Sequence, residues 1–163
     1  MILKVPFKQQ SQPNTCGAAC LEMVLKYYDF NVSESKIFQK ISSKAPQTGR
    51  LYIGTSNLIK FVSENGFDLQ YNIKNIVNLK PYLKNRFPVI VLQRHTVTDE
   101  FFAHFRVVVG FKHKSYIVHD PEKETGANKL IYNTILKELW KKQPNGENES
   151  DNVFILIKPK NIN

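Results

Sequence analysis

The amino-acid sequence predicts an α+β fold, because its two halves differ in the period of their apolar residues. In the first half, apolar residues recur at the three- and four-residue spacing of one helix face, most clearly from residue 16 to residue 28. In the second half, runs rich in β-branched residues alternate with turns, which is typical of antiparallel strands. The order of these patterns predicts N-terminal helices packed on a C-terminal antiparallel sheet.

The first half is predicted to begin with a short extended segment at residues 2–7 and to continue with helices over 16–28, 31–41 and 54–64. Thr15 or Asn14 is the expected N-cap of the first helix and Ser33 that of the second, because short polar side chains can accept hydrogen bonds from free helical N–H groups. Asn65-Gly66 is expected to end the third helix. Residues 42–53, with two serines, Pro46 and Gly49, are expected to form a loop.

The second half is predicted to contain strands over 67–73, 87–93, 104–111, 115–120 and 153–157, with helices over 79–84 and 132–142. The tripeptide Lys-His-Lys at 112–114 is the expected turn between two of these strands. The strands at 104–111 and 115–120 should therefore form a hairpin.

Length and composition fit one domain over residues 1–163. A chain of this size buries roughly two-thirds of its unfolded surface. No apolar run approaches the ~20 residues that a membrane span needs, and the N-terminus lacks a signal-peptide pattern. The two cysteines lie four residues apart in one predicted helix, where a structural disulfide is disfavoured. This arrangement favours a reducing compartment, so the expected location is the cytoplasm.

The net charge of +9 is the unusual bulk property of the sequence. It suits either a highly soluble surface or a surface for an acidic partner, such as a peptide or a nucleic acid. The lysines are scattered and do not form a cluster with interleaved aromatic residues. A nucleic-acid partner is therefore not expected.

Cys16 is a candidate nucleophile, because it falls in the first turn of the first predicted helix. The free N–H groups and the positive end of the helix dipole favour a thiolate there. A cysteine hydrolase also needs a base, a group that orients the base, and donors for the oxyanion. Among the four histidines, His104 begins the most apolar strand, and Asp120 ends the partner strand. Cross-strand pairing can therefore bring His104 and Asp120 together.

Beyond these residues, the chain resembles the C39-type papain-like cysteine peptidases, which remove double-glycine leaders from bacteriocin and pheromone precursors. The matching elements cover most of the chain in order: Gln10 six residues before Cys16, the run CGAACLEMV, Gly54-Thr55 opening a helix that ends in Asn-Gly-Phe, the run HFRVVVG, and His-Asp-Pro after the next strand. The resemblance implies a papain-like fold and thiol chemistry without a cofactor. It implies Cys16 as nucleophile, His104 as base and acid, and Asp120 as the group that orients His104. It also implies Gln10 as the oxyanion donor, together with the backbone N–H of Cys16.

The resemblance further implies a peptide or precursor-protein substrate, which is cleaved after small residues and carries an acidic leader. Transporter members of the family usually carry Asp or Glu just before the cysteine and continue into a membrane domain and an ATPase. This sequence has Thr15 at that position and is nearer to stand-alone members, whose substrates vary. A separate ABC transporter is among the expected partners. Two alternatives remain open: a papain-like acyltransferase or isopeptidase, and a module that binds a leader without cleaving it.

Cys20 lies one helical turn after Cys16 and is expected to be a small core residue. A redox-active resolving thiol is the sharper alternative. A zinc site made of both cysteines and two histidines is less favoured, because C-x-x-x-C on a helix is a weak metal spacing.

Overall fold

The computed structural model describes residues 1–46, 48–72, 77–98, 103–141 and 153–160, and it confirms the α+β class. Its helices are α1 (Cys16–Tyr27), α2 (Glu34–Ile41), α3 (Thr55–Glu64), α4 (Lys80–Lys84) and α5 (Asn133–Leu139). Its strands are β1 (Ser43–Lys44), β2 (Leu51–Tyr52), β3 (Phe67–Asn72), β4 (Val89–Arg94), β5 (Ala103–Lys112), β6 (Ser115–His119), β7 (Lys129–Tyr132) and β8 (Phe154–Pro159). Within these residues, no helix has the length and apolar character that a membrane span requires.

Strands β3 to β8 form an antiparallel sheet with the spatial order β3-β8-β4-β5-β6-β7 in the described part of the chain. The strands that pair at its centre, β8, β4 and β5, are almost continuously buried, which agrees with their apolar runs. Helix α1 packs against this centre, and its side chains from Ala18 to Leu21 are fully buried. The start of α1 is thereby fixed against β5, the strand that carries His104.

Two parts of the sheet architecture differ from the sequence prediction. Residues 42–53 contain the short antiparallel pair β1–β2 rather than a plain loop. Strand β7, which the sequence analysis did not predict, pairs with β6 along Lys129–Tyr132. It runs directly into α5, and its last residue, Tyr132, falls at the start of the helix predicted over 132–142.

A β-bulge in β5 determines which residues share a face near its start. Val108 pairs with Val118 and Gly110 with Ile117, so Val109 is an extra residue in β5. Beyond the bulge, Val107 pairs with His119, and one further step in this register sets Asp120 opposite Arg106. Directly opposed residues point to the same face, and so do residues two apart on a strand. Asp120, Arg106 and His104 therefore share one face, whereas a hairpin without the bulge would turn Asp120 to the other.

Candidate active site

Cys16 is the first residue of α1, and its side chain is partly exposed. Thr15 occupies the N-cap position, but its hydroxyl donates to the carbonyl O of Gln12 (2.9 Å) and accepts from the Gln12 N–H (3.2 Å). Asn14 likewise turns away and donates to the carbonyl O of Leu51. Thr15 is therefore the N-cap residue, as predicted, but the side-chain hydrogen bond expected of it is absent. The polar side chains fix the preceding loop, and the first-turn N–H groups retain their positive partial charge beside the sulfur.

Gly17 allows the start of α1 to approach β5 closely. A Cβ atom at this position would lie 3.1 Å from Cδ2 of Phe105 and 3.4 Å from Cγ2 of Ile53. Phe105 immediately follows His104 in β5. The absence of a side chain at Gly17 thus brings the cysteine end of the helix next to the histidine end of the strand.

His104 and Asp120 form a hydrogen bond of 2.8 Å between Nε2 of the imidazole and Oδ1 of the carboxylate. The register makes this contact diagonal, since Asp120 lies opposite Arg106 rather than opposite His104. Arg106 donates from Nε to Oδ2 of Asp120 (3.0 Å), and the backbone N–H of Glu122 donates to Oδ1 (3.2 Å). Both carboxylate oxygens are thus held, and the orientation of the His104 ring is fixed.

The protonation of this group follows from its partners. Burial disfavours the imidazolium, but hydrogen bonds to Asp120 and Cys16 and the negative charge of Cys16 outweigh it and raise the pKa of His104 to about 9. Burial alone would raise the pKa of the Asp120 carboxyl, yet its hydrogen bond to His104 and the charge of Arg106 hold that pKa well below its usual range. Because Nε2 of His104 is bonded to Asp120, Nδ1 is the atom left to face Cys16. The His104 ring is therefore protonated at neutral pH.

Two other histidines have roles in the fold. His119 is buried, with Nε2 bonded to the carbonyl O of Val5 (3.0 Å) and Nδ1 accepting from the Asn128 N–H (3.1 Å). Burial lowers its pKa, so it is a neutral ring held on both sides. His113 lies exposed in the β5–β6 turn with a φ of 50°.

His95 lies next to the His104–Asp120 pair. Its ring packs edge-on against the ring of His104, with 5.2 Å between the centroids, and its Nε2 bonds to Oε2 of Glu122 at 2.8 Å. Arg106 donates from Nη2 to the carbonyl O of His95 (2.8 Å). A second histidine–carboxylate pair therefore borders the first, and Arg106 contacts both.

Gln10 lies in the loop before α1, and its backbone N–H donates to the carbonyl O of Pro121 (2.8 Å). The loop is thus attached to the turn that immediately follows Asp120. The side-chain Nε2 of Gln10 donates to the carbonyl O of Gln12 (2.9 Å), while its Oε1 is buried without a hydrogen-bond partner. The structure therefore brings Gln10 to the Asp120 end of the group with its amide turned toward its own loop.

Cys20 is fully buried in α1, in agreement with the core role expected for it. Burial and the neighbouring charge of Cys16 raise the pKa of its thiol well above the ordinary value. Among the described residues, no group of three or more His, Cys, Asp and Glu side chains is placed to hold a metal ion.

Arg106 is the residue of this group that the sequence analysis missed. Besides Asp120 and His95, it contacts the carbonyl O of Arg94 through Nη1 (3.2 Å), and its side chain is only 5% exposed. A charged residue inside an apolar strand, two positions after a candidate catalytic histidine, was the available signal. Its partner could not be read from the sequence, because it depends on the bulge.

A helix-start cysteine set against a histidine on an antiparallel sheet, in this α+β topology, defines the class of papain-like cysteine peptidases. Within that class, the chain belongs to the Peptidase_C39 like family, whose model matches residues 2–145. The predicted family resemblance and the assignment as a cysteine peptidase are thereby confirmed.

Solved structures of the same fold include a C39-like peptidase from Bacillus anthracis, with a TM-score of 0.78 and 15% identity over 98% of both chains. A double glycine motif protease from an AMS/PCAT transporter, solved with the leader peptide, has a TM-score of 0.67 and 22% identity over 98% of this chain and 94% of that one. The peptidase domain of Streptococcus ComA, a bifunctional ABC transporter of a quorum-sensing pathway, has a TM-score of 0.66 and 19% identity over 96% and 99% of the chains. No curated protein sequence matches the chain.

Proposed function

We propose that this peptidase cleaves a peptide bond after small residues, of the Gly-Gly type found at the end of leaders in bacteriocin or pheromone precursors. Cys16 is the nucleophile, His104 the base and acid, and Asp120 the group that orients His104. The single observation that carries this proposal is the 2.8 Å hydrogen bond between His104 and Asp120, which lies beside Cys16 at the start of α1.

The reaction follows from the protonation of this set. The Cys16 thiolate attacks the carbonyl carbon of the scissile bond, forming an S–C bond, and the carbonyl oxygen takes the negative charge. When the C–N bond breaks, the His104 imidazolium gives its proton to the leaving amine, and a thioester remains on Cys16. His104, now neutral, takes a proton from water, whose oxygen attacks the thioester carbon. The S–C bond then breaks, which releases the acid product and restores the Cys16 thiolate beside the His104 imidazolium.

The negative oxygen of the intermediate needs hydrogen-bond donors, which are the backbone N–H of Cys16 and the side-chain amide of Gln10. In the free protein the Gln10 Nε2 is bonded to Gln12, so the amide turns toward the oxyanion when substrate binds. The buried and unpartnered Oε1 of Gln10 supports this step, because a buried amide without a full set of partners is ready to change its orientation.

The substrate class rests on the similarity to a double glycine motif protease solved with its leader peptide. The net charge of +9 suits an acidic leader. Similarity to peptidase domains of ABC transporters favours an ABC transporter as partner and the cytoplasm as the location of the reaction. An acidic leader held by charge would bind less tightly as the salt concentration rises.

The proposal is tested with synthetic precursor peptides that carry an acidic leader ending in Gly-Gly, with the products identified by mass spectrometry. The wild-type protein should cut after the second glycine, and Cys16→Ala should abolish cutting while leaving peptide binding intact. Cys20→Ala is the matched control and should keep the activity, since Cys20 is buried in the core. Cutting by Cys16→Ala would refute the mechanism, and products formed with added amines instead of water would show acyl transfer.

A further inference from the structure

Glu34 is a buried carboxylate, only 2% exposed, at the first position of α2. Such a charge is costly to bury unless its oxygens are hydrogen-bonded. Its Oε1 accepts from the backbone N–H of Ser11 (2.8 Å) and from the Ser11 hydroxyl (2.9 Å). Its Oε2 lies 3.8 Å from Nζ of Lys8. The partners of this buried acid therefore belong to the loop at residues 8–11, which contains Gln10.

The carboxylate of Glu34 is not needed for capping its own helix. Ser33 is the N-cap of α2, and its hydroxyl accepts from the Lys36 N–H. The backbone N–H of Glu34 itself is bound by Oε2 of Glu22 in α1 (2.6 Å). Glu34 thus sits at a fixed point of the helical layer, and its side chain is free to hold the loop.

Gln10 lies between two backbone anchors. Its own N–H is bound by the carbonyl O of Pro121, beside Asp120, and the next N–H along the chain, that of Ser11, is bound by Glu34. Two successive N–H groups held by different elements fix the path of the backbone at Gln10. The side-chain amide of Gln10 is left with rotations about its own bonds.

We propose that Glu34 is a positioning residue of the oxyanion hole, which acts by holding Gln10 through the hydrogen bonds to Ser11. This role rests on the proposed function, because Glu34 affects amide cleavage only if Gln10 is the oxyanion donor. Displacement of a catalytic group by as little as ~1 Å can cost roughly a hundredfold in rate. The Glu34 carboxylate, 23 residues from Ser11 in sequence, therefore contributes to catalysis by fixing the position of Gln10.

The test is a double-mutant cycle between Glu34 and Gln10 with two readouts. The first is kcat for a fluorogenic peptide that ends in Gly-Gly-7-amino-4-methylcoumarin, which needs the oxyanion hole. The second is the rate of Cys16 alkylation by iodoacetamide, which needs the thiolate and forms no oxyanion. The variants are Glu34→Ala, the isosteric Glu34→Gln in case the first variant fails to fold, Gln10→Ala and the double variants. Glu64→Gln, at a surface ion pair with Lys60, is the matched control.

Gln10→Ala should lower kcat by roughly 100-fold, the lower end of what loss of an oxyanion donor costs. Glu34→Ala should lower it roughly 10-fold, and Glu34→Gln less, with the alkylation rate within about twofold of wild type. In the Gln10→Ala background, substitution of Glu34 should change kcat by less than about twofold, because the side chain that Glu34 positions is gone.

Equal losses of kcat in both backgrounds, or alkylation rates that fall in parallel with kcat, would overturn the role of Glu34 and leave the proposed function standing. A wild-type protein without Cys16-dependent hydrolysis of the fluorogenic peptide would overturn the proposed function and, with it, the role of Glu34.

Discussion

Asp120→Asn isolates the largest favourable influence on the protonation of His104. The substitution keeps the shape of the side chain and a carbonyl oxygen that can accept from Nε2, but it removes the negative charge. In the wild-type protein, hydrogen bonds to Asp120 and Cys16 and the charge of Cys16 raise the pKa of His104 from 6.5 to about 9 against the opposing effect of burial. We therefore expect the imidazolium to lose its proton at lower pH in the variant.

The magnitude follows from that rise. At about 1.4 kcal/mol per pKa unit, the environment favours the imidazolium by about 3 kcal/mol in net terms. The hydrogen bond to Asp120 is the first of the contributions that raise this pKa, and burial remains when it is lost. The pKa of His104 should consequently fall by roughly 1 to 2 units in the variant.

The assay is an NMR titration of the imidazole nitrogens from pH 5 to 11, with His104 assigned through His104→Gln. The wild-type midpoint should lie near pH 9, and the Asp120→Asn midpoint between about pH 7 and 8. The basic limb of the pH profile of kcat/KM should move in the same direction, since acylation needs the imidazolium. Asp68→Asn, on the exposed side of β3, is the control and should leave both unchanged.

An unchanged His104 midpoint in Asp120→Asn would refute this account of the site. It would mean that Cys16 alone raises the pKa of His104 and that the charge of Asp120 does not affect this pKa. A midpoint that rises would contradict the hydrogen bond itself, because loss of an adjacent negative charge cannot favour the protonated ring.

Two further substitutions test the surroundings of Asp120 by urea unfolding. Arg106→Met removes the guanidinium donor from Oδ2 of the largely buried Asp120 carboxylate and from the carbonyl O of Arg94, and it should lower the free energy of unfolding by about 3 to 5 kcal/mol at pH 7. Because Arg106 lowers the pKa of Asp120, this loss of stability is fully present above the ordinary carboxyl pKa and should shrink as the pH falls and Asp120 is protonated. The exposed Arg50→Met is the control. A loss of stability that does not change with pH would contradict the ion pair between Arg106 and Asp120. Gly126→Ala would place a Cβ over the carbonyl O of Asp120, so it should cost about 1 to 3 kcal/mol, and an unaltered urea midpoint would exclude this close approach.

The parts of the site that the sequence predicted are those that local patterns encode. The helical period after Cys16 and the polar loop before it place the cysteine at a helix start. Two β-branched runs around a short turn bring the ends of a hairpin together, which places His104 near Asp120. Both inferences need only the periods of helices and strands and the geometry of a turn.

The remaining features depend on contacts between residues far apart in sequence. In the sequence, Glu34 is an ordinary acidic residue in the first turn of a helix. Only the packing of α2 against the loop at Ser11 shows that its carboxylate binds the Ser11 N–H. The sequence predicts a side-chain cap by Thr15, but the Thr15 hydroxyl donates to the carbonyl O of Gln12 instead. Short polar side chains choose between such local bonds by small energy differences, which the sequence does not display.

The bulge at Val109 explains why the sequence could indicate the His104–Asp120 pair without giving its geometry. If the observed pairs Lys112–Ser115 and Phe111–Tyr116 continued without the bulge, Asp120 would lie opposite Val107, on the other face from His104. The extra residue shifts the register by one, so Asp120 instead faces Arg106 and reaches His104 diagonally. One inserted residue thus gives Asp120 two partners on one face, an imidazole on one oxygen and a guanidinium on the other. Since Arg106 can hold Asp120 only in this register, the bulge and the arginine act together to fix the carboxylate that orients His104.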